Sequence, residues 1–135
     1  MTRRPDVPNV QAGALAERAV ADRWDLEVDR SEWFDLRNPR TGSKYQVKRA
    51  ESKQGDDDGR FRVFRGPHRS LAASDGQATA WYVFVVYSAD GGRVVAMQRR
   101  KPSTVTQIVA EMGGWSESGH TAYREEKKLP VSKVV

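Results

Sequence analysis

The run Ala80–Tyr87 is apolar or aromatic at every position and carries no charge, glycine or proline. A strand with one wet face alternates polar and apolar side chains, and this one does not. It predicts a central strand covered on both faces, which requires a sheet with further layers above and below it. At eight residues it falls far short of the roughly 20 that a membrane span needs. The chain of 135 residues is long enough for one domain with a real core and too short for two comfortable ones, so residues 1–135 are read as a single domain.

Elements of both kinds surround that strand. Residues 10–24 have helical spacing: at 100° per residue Val10, Gly13, Ala14, Val20, Ala21 and Trp24 share one arc. Glu17 falls inside this arc. A carboxylate facing a core demands a cation, a hydrogen-bond partner or the mouth of a cleft, unless the helix lies so shallowly that Glu17 reaches water. Residues 26–28 read as a short strand, and residues 33–37 and 44–50 as a hairpin joined through Asn38, Pro39, Arg40, Thr41 and Gly42. Residues 67–74 read as a helix with Pro67 in its first turn, and residues 93–98 as an antiparallel neighbour of the central strand. Residues 103–112 form a further helix, capped by Ser103 and stopped by Gly113 and Gly114. Residues 119–128 are polar and ambiguous, and the tail 129–135 is apolar enough to dock as an edge strand. Residues 1–9 are expected to be a flexible N-terminus and residues 52–59, with Asp56, Asp57 and Asp58, a mobile acidic loop. The order suits a mixed central sheet flanked by helices, in the α/β class on the border of α+β.

The hairpin carries the candidate chemistry. Side chains alternate along a strand, so Trp33, Asp35 and Arg37 are expected on one face and Phe34 and Leu36 on the other. Gln46, Lys48 and Ala50 share a face of the second strand. A turn centred on Arg40 and Thr41 sets Asp35 opposite Gln46, where cross-strand Cβ atoms lie about 4.5–5.5 Å apart. A slip of one residue would separate them. Hydrolysis of a phosphodiester needs a Lewis acid and an oriented water, and Mg²⁺ takes one or two carboxylates and a carbonyl from the protein. Asp35 would anchor Mg²⁺ or Mn²⁺, with the side-chain oxygen of Gln46 and the backbone carbonyl of Val47 completing the protein's share. Glu17 would ligate directly or hold a water of the ion's shell, and Lys48 would orient or deprotonate the attacking water. The plainer alternative is a cross-strand ion pair of Asp35 with Lys48, worth little if exposed.

A helix-borne Glu17, then Asp35, then Gln46-x-Lys48 on the next strand resembles the PD-(D/E)XK nuclease superfamily. Gly13, Glu17 and Arg18 are similar to the Gly-x-x-x-Glu-Arg opening of archaeal Holliday junction resolvases, and Ser31 to the serine ahead of their metal-binding aspartate. Gln46 and Lys48 are closer to the Gln-x-Lys of Mrr-type endonucleases. Phe34 stands where proline is usual before the aspartate, and Gln46 replaces the commoner acid, which removes one negative charge from the site. The resemblance covers residues 10–50 and, loosely, the strand at Ala80–Tyr87. It implies a restriction endonuclease-like fold, a metal-dependent endonuclease and a homodimer, because cutting two strands usually takes two sites. A catalytically silent DNA-binding module on the same scaffold is the alternative that Gln46 leaves open.

Charge fits an anionic partner. The net charge is +5 and the pI near 9.7, and nucleic acid is the commonest partner of a basic domain, duplex or branched DNA being expected here. Arg60, Arg62, Arg65 and Arg69 form the densest basic segment, followed by Arg99, Arg100 and Lys101, with Arg124, Lys127 and Lys128 as a third cluster. Phe61 and Phe64, between the first arginines, are expected in the core. His68 and His120 are expected at the surface or on a DNA backbone. No cysteine is present, so disulfides and thiolate metal sites are excluded. No secretory leader is visible, and a cytoplasmic, non-membrane protein is the default expectation.

Overall fold

The computed structural model describes residues 9–52, 59–76, 79–88, 93–119 and 124–135, with residues 9–13 described by backbone alone. Helix α1 (Asn9–Trp24) leads into strands β1 (Glu27–Val28), β2 (Leu36–Arg37) and β3 (Lys44–Glu51). Strand β4 (Arg60–Phe64) and helix α2 (Arg65–Ala73) precede β5 (Ala80–Tyr87) and β6 (Val94–Arg100). Helix α3 (Pro102–Glu111), β7 (Ser116–Glu117), β8 (Glu125–Pro130) and the short α4 (Val131–Val134) complete the order. A five-stranded sheet runs β1-β2-β3-β5-β6, and a three-stranded sheet runs β4-β8-β7. Among the described residues only β3 and β5 pair in parallel; the other pairings are antiparallel.

The mixed α/β architecture is the restriction endonuclease-like one expected, with β5 covered on both faces. Val83, Val85 and Tyr87 join Ala16 and Val20 of α1, Leu26, Leu36 and Tyr45 in one core. Ala80, Tyr82, Phe84 and Val86 point the other way, against Phe61 and Val63 of β4, Leu71 of α2, Val105 and Val109 of α3, Leu129 and Val134. Each large side chain so buried stabilises the fold by about 1.5–3 kcal/mol. Two cores on one strand account for the absence of alternation. No helix among the described residues is long and apolar enough to cross a membrane.

Several local expectations need correction. Only Leu36 and Arg37 of the first hairpin strand are β. Asp35 N–H donates to Tyr45 O at 2.8 Å, and its carboxylate takes the Val47 N–H, so a side chain replaces the ladder and the chain bends. Phe34 and Leu36 consequently fall into different cores rather than sharing a face. In α1, Ala14 is exposed and Ala16 buried, because the helix lies on the sheet through Ala16 and Val20. Lys101, not Ser103, is the N-cap of α3; Pro102 sits at its first position, where the missing N–H costs nothing. Gly113 and Gly114 end that helix with φ of +95° and +88°. The tail is no edge strand: β8 lies in the middle of the small sheet, pairing Leu129 with Phe61. Pro130 closes it, lacking a ladder donor, and α4 follows.

The N-terminus expected over 1–9 falls outside the described residues except for Asn9, which opens α1, and so do positions 53–58 of the acidic loop. The two ends of that loop are fastened. Ser52 N–H donates to Tyr87 O at 2.7 Å, and Gly59 O accepts from Val131 N–H at 3.0 Å. A Cβ at Gly59 would meet Glu51 O at 1.9 Å, so no other residue fits there without a backbone shift.

Candidate active site

The site is built where β2 ends beside β3. Leu36 pairs with Tyr45 and Arg37 with Lys44, so Asp35, one step further, comes level with Gln46. The Asp35 carboxylate bridges to β3 through Oδ2, which accepts from Val47 N–H at 2.8 Å. Within one strand residue the N–H and C=O point to the same side. The Val47 carbonyl therefore also faces Asp35, at a point where β2 has no further strand residue to offer.

Gln46 and Lys48 point to the opposite side of the sheet from α1. Their register mates on β5 are Tyr82 and Phe84, both in the larger core. Gln46 Oε1 is buried and has no hydrogen-bond partner. Leaving such an acceptor unsatisfied costs about 1–3 kcal/mol. The Lys48 ammonium lies 5.5 Å from the centre of the Phe64 ring. Burial pushes its pKa down to about 8, with Arg62 adding to the fall and Asp35 opposing it. Burial raises the Asp35 pKa and the charge of Glu17 adds to this, against the Val47 N–H, Lys48 and Arg30. Asp35 thus sits within electrostatic range of Glu17, Arg30 and Lys48 together.

Glu17 obtains the cation that its place on the helix demanded. Arg30 donates to its Oε1 through Nη2 at 2.7 Å and Nε at 3.2 Å. Nothing local in the sequence marks Arg30. The antiparallel pairing of Val28 with Leu36 is what carries residue 30 alongside Asp35.

The donors suit a hard divalent cation in part. Among the described residues no three His, Cys, Asp or Glu side chains gather at metal-binding range. What is present is a mixed oxygen set: the Asp35 carboxylate, the orphaned Gln46 Oε1 and the Val47 carbonyl, with Glu17 nearby. An oxygen-rich set of this kind fits Mg²⁺ or Mn²⁺, which keep waters in their shell. When bound, such an ion supplies Lewis acidity toward a phosphoryl oxygen.

A cleft of about 420 Å³ opens beside Lys48, lined also by Val47, Arg49, Arg60, Arg62, Phe64 and Lys128. Arg60 and Arg62 of the densest basic segment and Lys128 of the third cluster reach it, together with Arg49, which belongs to none of the three clusters. Arg62 lies 3.7 Å from Glu126. The remaining basic residues go elsewhere. Arg65 forms a two-bond ion pair with Glu125 at 2.7 and 2.8 Å, and Arg69 is exposed on α2. Arg99 stacks 4.0 Å from the Trp81 ring, Arg100 donates to Val134 O, and Lys101 pairs with Asp75 at 2.6 Å. These last three stand at the end of β6, two strands from β3.

Phe61 is in the core as expected. His68 is a correction, since it is buried rather than at the surface. Its Nε2 lies 2.7 Å from Thr106 Oγ1 and its Nδ1 2.7 Å from the Tyr82 hydroxyl. Thr106 already donates to Pro102 O, so Nε2 carries the proton and Tyr82 donates to Nδ1. His120 lies outside the described residues.

No curated protein matches the chain. A family model, the PD-(D/E)XK nuclease superfamily domain, matches residues 1–135. With a helix-borne Glu17, Asp35 beside Gln46 and Lys48 on the next strand, and this sheet beneath them, the chain belongs to the PD-(D/E)XK nuclease superfamily.

Proposed function

We propose that this nuclease-superfamily domain is a Mg²⁺- or Mn²⁺-dependent DNA endonuclease, with Asp35, Gln46, Lys48 and Glu17 at its centre. The observation that carries the reading is the pairing of a fixed carboxylate with an unfulfilled oxygen. Asp35 is fastened by Val47 N–H level with the buried, unpartnered Gln46 Oε1. Asp35, Gln46 and the Val47 carbonyl would hold the ion, and Glu17 would join them directly or through water. Lys48, with its pKa near 8, is roughly one-tenth neutral at pH 7. It can accept a proton from an attacking water, and in its charged form it can neutralise the developing negative charge.

Arg60, Arg62 and Lys128 line the cleft beside Lys48, where a phosphate backbone would lie. Duplex or branched DNA is the substrate class, and a homodimer would provide a site for each strand. The test is plasmid nicking with Mg²⁺ or Mn²⁺, with and without chelator, for the wild type and Asp35→Ala. Cleavage that persists unchanged in Asp35→Ala defeats the assignment. Four-way junctions assayed against linear duplexes then separate a junction resolvase from a restriction or repair enzyme.

A second reading, a silent DNA-binding module, is favoured by one observation: Glu17, the carboxylate that would compensate for neutral Gln46, is held by Arg30. It predicts salt-sensitive DNA binding without nicking at any divalent ion.

A further inference from the structure

Arg30 is tied to the site by backbone and by charge. Beyond the β1–β2 pairs, Asp29 N–H donates to Asp35 O at 3.0 Å and Ser31 N–H to Phe34 O at 2.9 Å. The chain therefore runs on beside Asp35, and Arg30 is presented one residue away from it. Two guanidinium nitrogens converge on a single oxygen of Glu17. The Glu17 side chain is 14% exposed and that of Arg30 61%, so an open, long-stemmed cation closes over a largely covered carboxylate. Arg30 also acts on the Asp35 charge.

We propose that Arg30 is a built-in competitor of the divalent cation: it neutralises Glu17 beside Asp35, and an ion must displace it to gain the second carboxylate. This rests on the assignment of Asp35 and Gln46 to a metal site. The charge count motivates it. Counting Asp35 and the charged groups that act on it, Glu17 and Asp35 supply two negative charges, Lys48 and Arg30 two positive ones, and Gln46 none. A site that is neutral as folded attracts a dication poorly until one cation leaves. Lys48 is half-buried and packed on Phe64, whereas Arg30 is the more exposed and has solvent to swing into. The arrangement makes metal affinity adjustable from outside the ligand set, since a phosphate that attracts Arg30 frees Glu17 for the ion.

The test is Mn²⁺ binding without DNA, measured by calorimetry or by the electron paramagnetic resonance of the free ion. Arg30→Gln is expected to bind Mn²⁺ roughly two- to five-fold more tightly than the wild type, the range that an exposed ion pair commands. Arg30→Lys, which keeps the charge, is expected to stay near the wild type. Unchanged or weaker binding by Arg30→Gln overturns the inference. Asp35→Asn is the reference: if it binds Mn²⁺ as the wild type does, the ion sits elsewhere, the site assignment itself fails and the role of Arg30 falls with it.

Discussion

Strands β3 and β5 lie side by side in parallel register, with Gln46 beside Tyr82 and Lys48 beside Phe84, yet they treat polar groups in opposite ways. On the β5 side the buried Tyr82 hydroxyl has a partner: Tyr82 donates to His68, and His68 to Thr106. At the end of the neighbouring β6, Arg99, Arg100 and Lys101 are likewise spent on a ring, a carbonyl and a carboxylate. On β3 the Gln46 oxygen is buried without a partner, and a lysine is held where burial depresses its pKa. The Tyr82 hydroxyl on β5 is paired, whereas the Gln46 oxygen on β3 is left open. An enzyme or binding site needs open valences at a fixed place, and strain of this sort persists only where the surrounding structure enforces it.

The largest effect should come from the open half. Asp35→Ala removes the anchoring carboxylate and is expected to cut plasmid nicking at least about 100-fold, with Lys48→Ala close behind. Neither change touches the β5 network, so thermal unfolding should remain a single transition, lowered in Asp35→Ala by the loss of the bond to Val47 N–H, about 1–3 kcal/mol. A collapse of the fold in Asp35→Ala would show that the carboxylate serves mainly to lock the bend at β2, and the contrast between the strands would lose its functional half.

The closed half should announce itself in acid. Burial holds His68 at a pKa of about 4, below its ordinary 6.5. The unfolded chain therefore binds a proton first, and stability falls as pH drops from about 6.5 to 4. Once both forms are protonated the loss amounts to on the order of 3 kcal/mol. Urea titrations between pH 4 and 7 measure it. In His68→Gln this component of the slope should vanish, and an identical slope in both proteins would mean that other groups carry it.

Arg99→Ala is expected to act on stability alone. Its guanidinium lies between Trp81 and Trp24 and donates to the Tyr45 hydroxyl at 3.3 Å. Removing it should cost about 1–2 kcal/mol, with DNA affinity unchanged when folded protein is compared. A drop in DNA affinity without loss of stability would move the binding surface to β6.

How much of this could be read beforehand differs between the same two regions. Ala80–Tyr87 was legible because burial on both faces leaves a continuous apolar run. The register that sets Asp35 level with Gln46 was legible because turn length acts over a dozen residues. The bend at Asp35 was not, since it depends on a carboxylate taking a backbone bond from Val47. Arg30 was hidden for a related reason: only the β1–β2 pairing brings it to Glu17. β8 was obscured by its own composition, because a strand that buries Leu129 alone among charged neighbours shows almost no alternation. The basic clusters looked alike in sequence because sequence gives the charge and not its partner.

That last point sets the finest test. Arg62 lines the cleft beside Lys48, with a side chain about half exposed and its nearest acid at 3.7 Å, whereas Arg65, three residues on, is gripped by both oxygens of Glu125. If the open cleft is where a phosphate backbone lies, Arg62→Ala should weaken DNA binding alike for all sequences and reduce the slope of log affinity against log salt by about 1. Arg65→Ala should leave that slope unchanged and lower stability slightly, since a half-exposed pair is worth about 1 kcal/mol or less. Equal salt slopes for the two variants would mean that partner-bound and open arginines are equivalent to DNA. Both act through the same charge in the same stretch of chain, so any difference between them measures what the ion pair withholds.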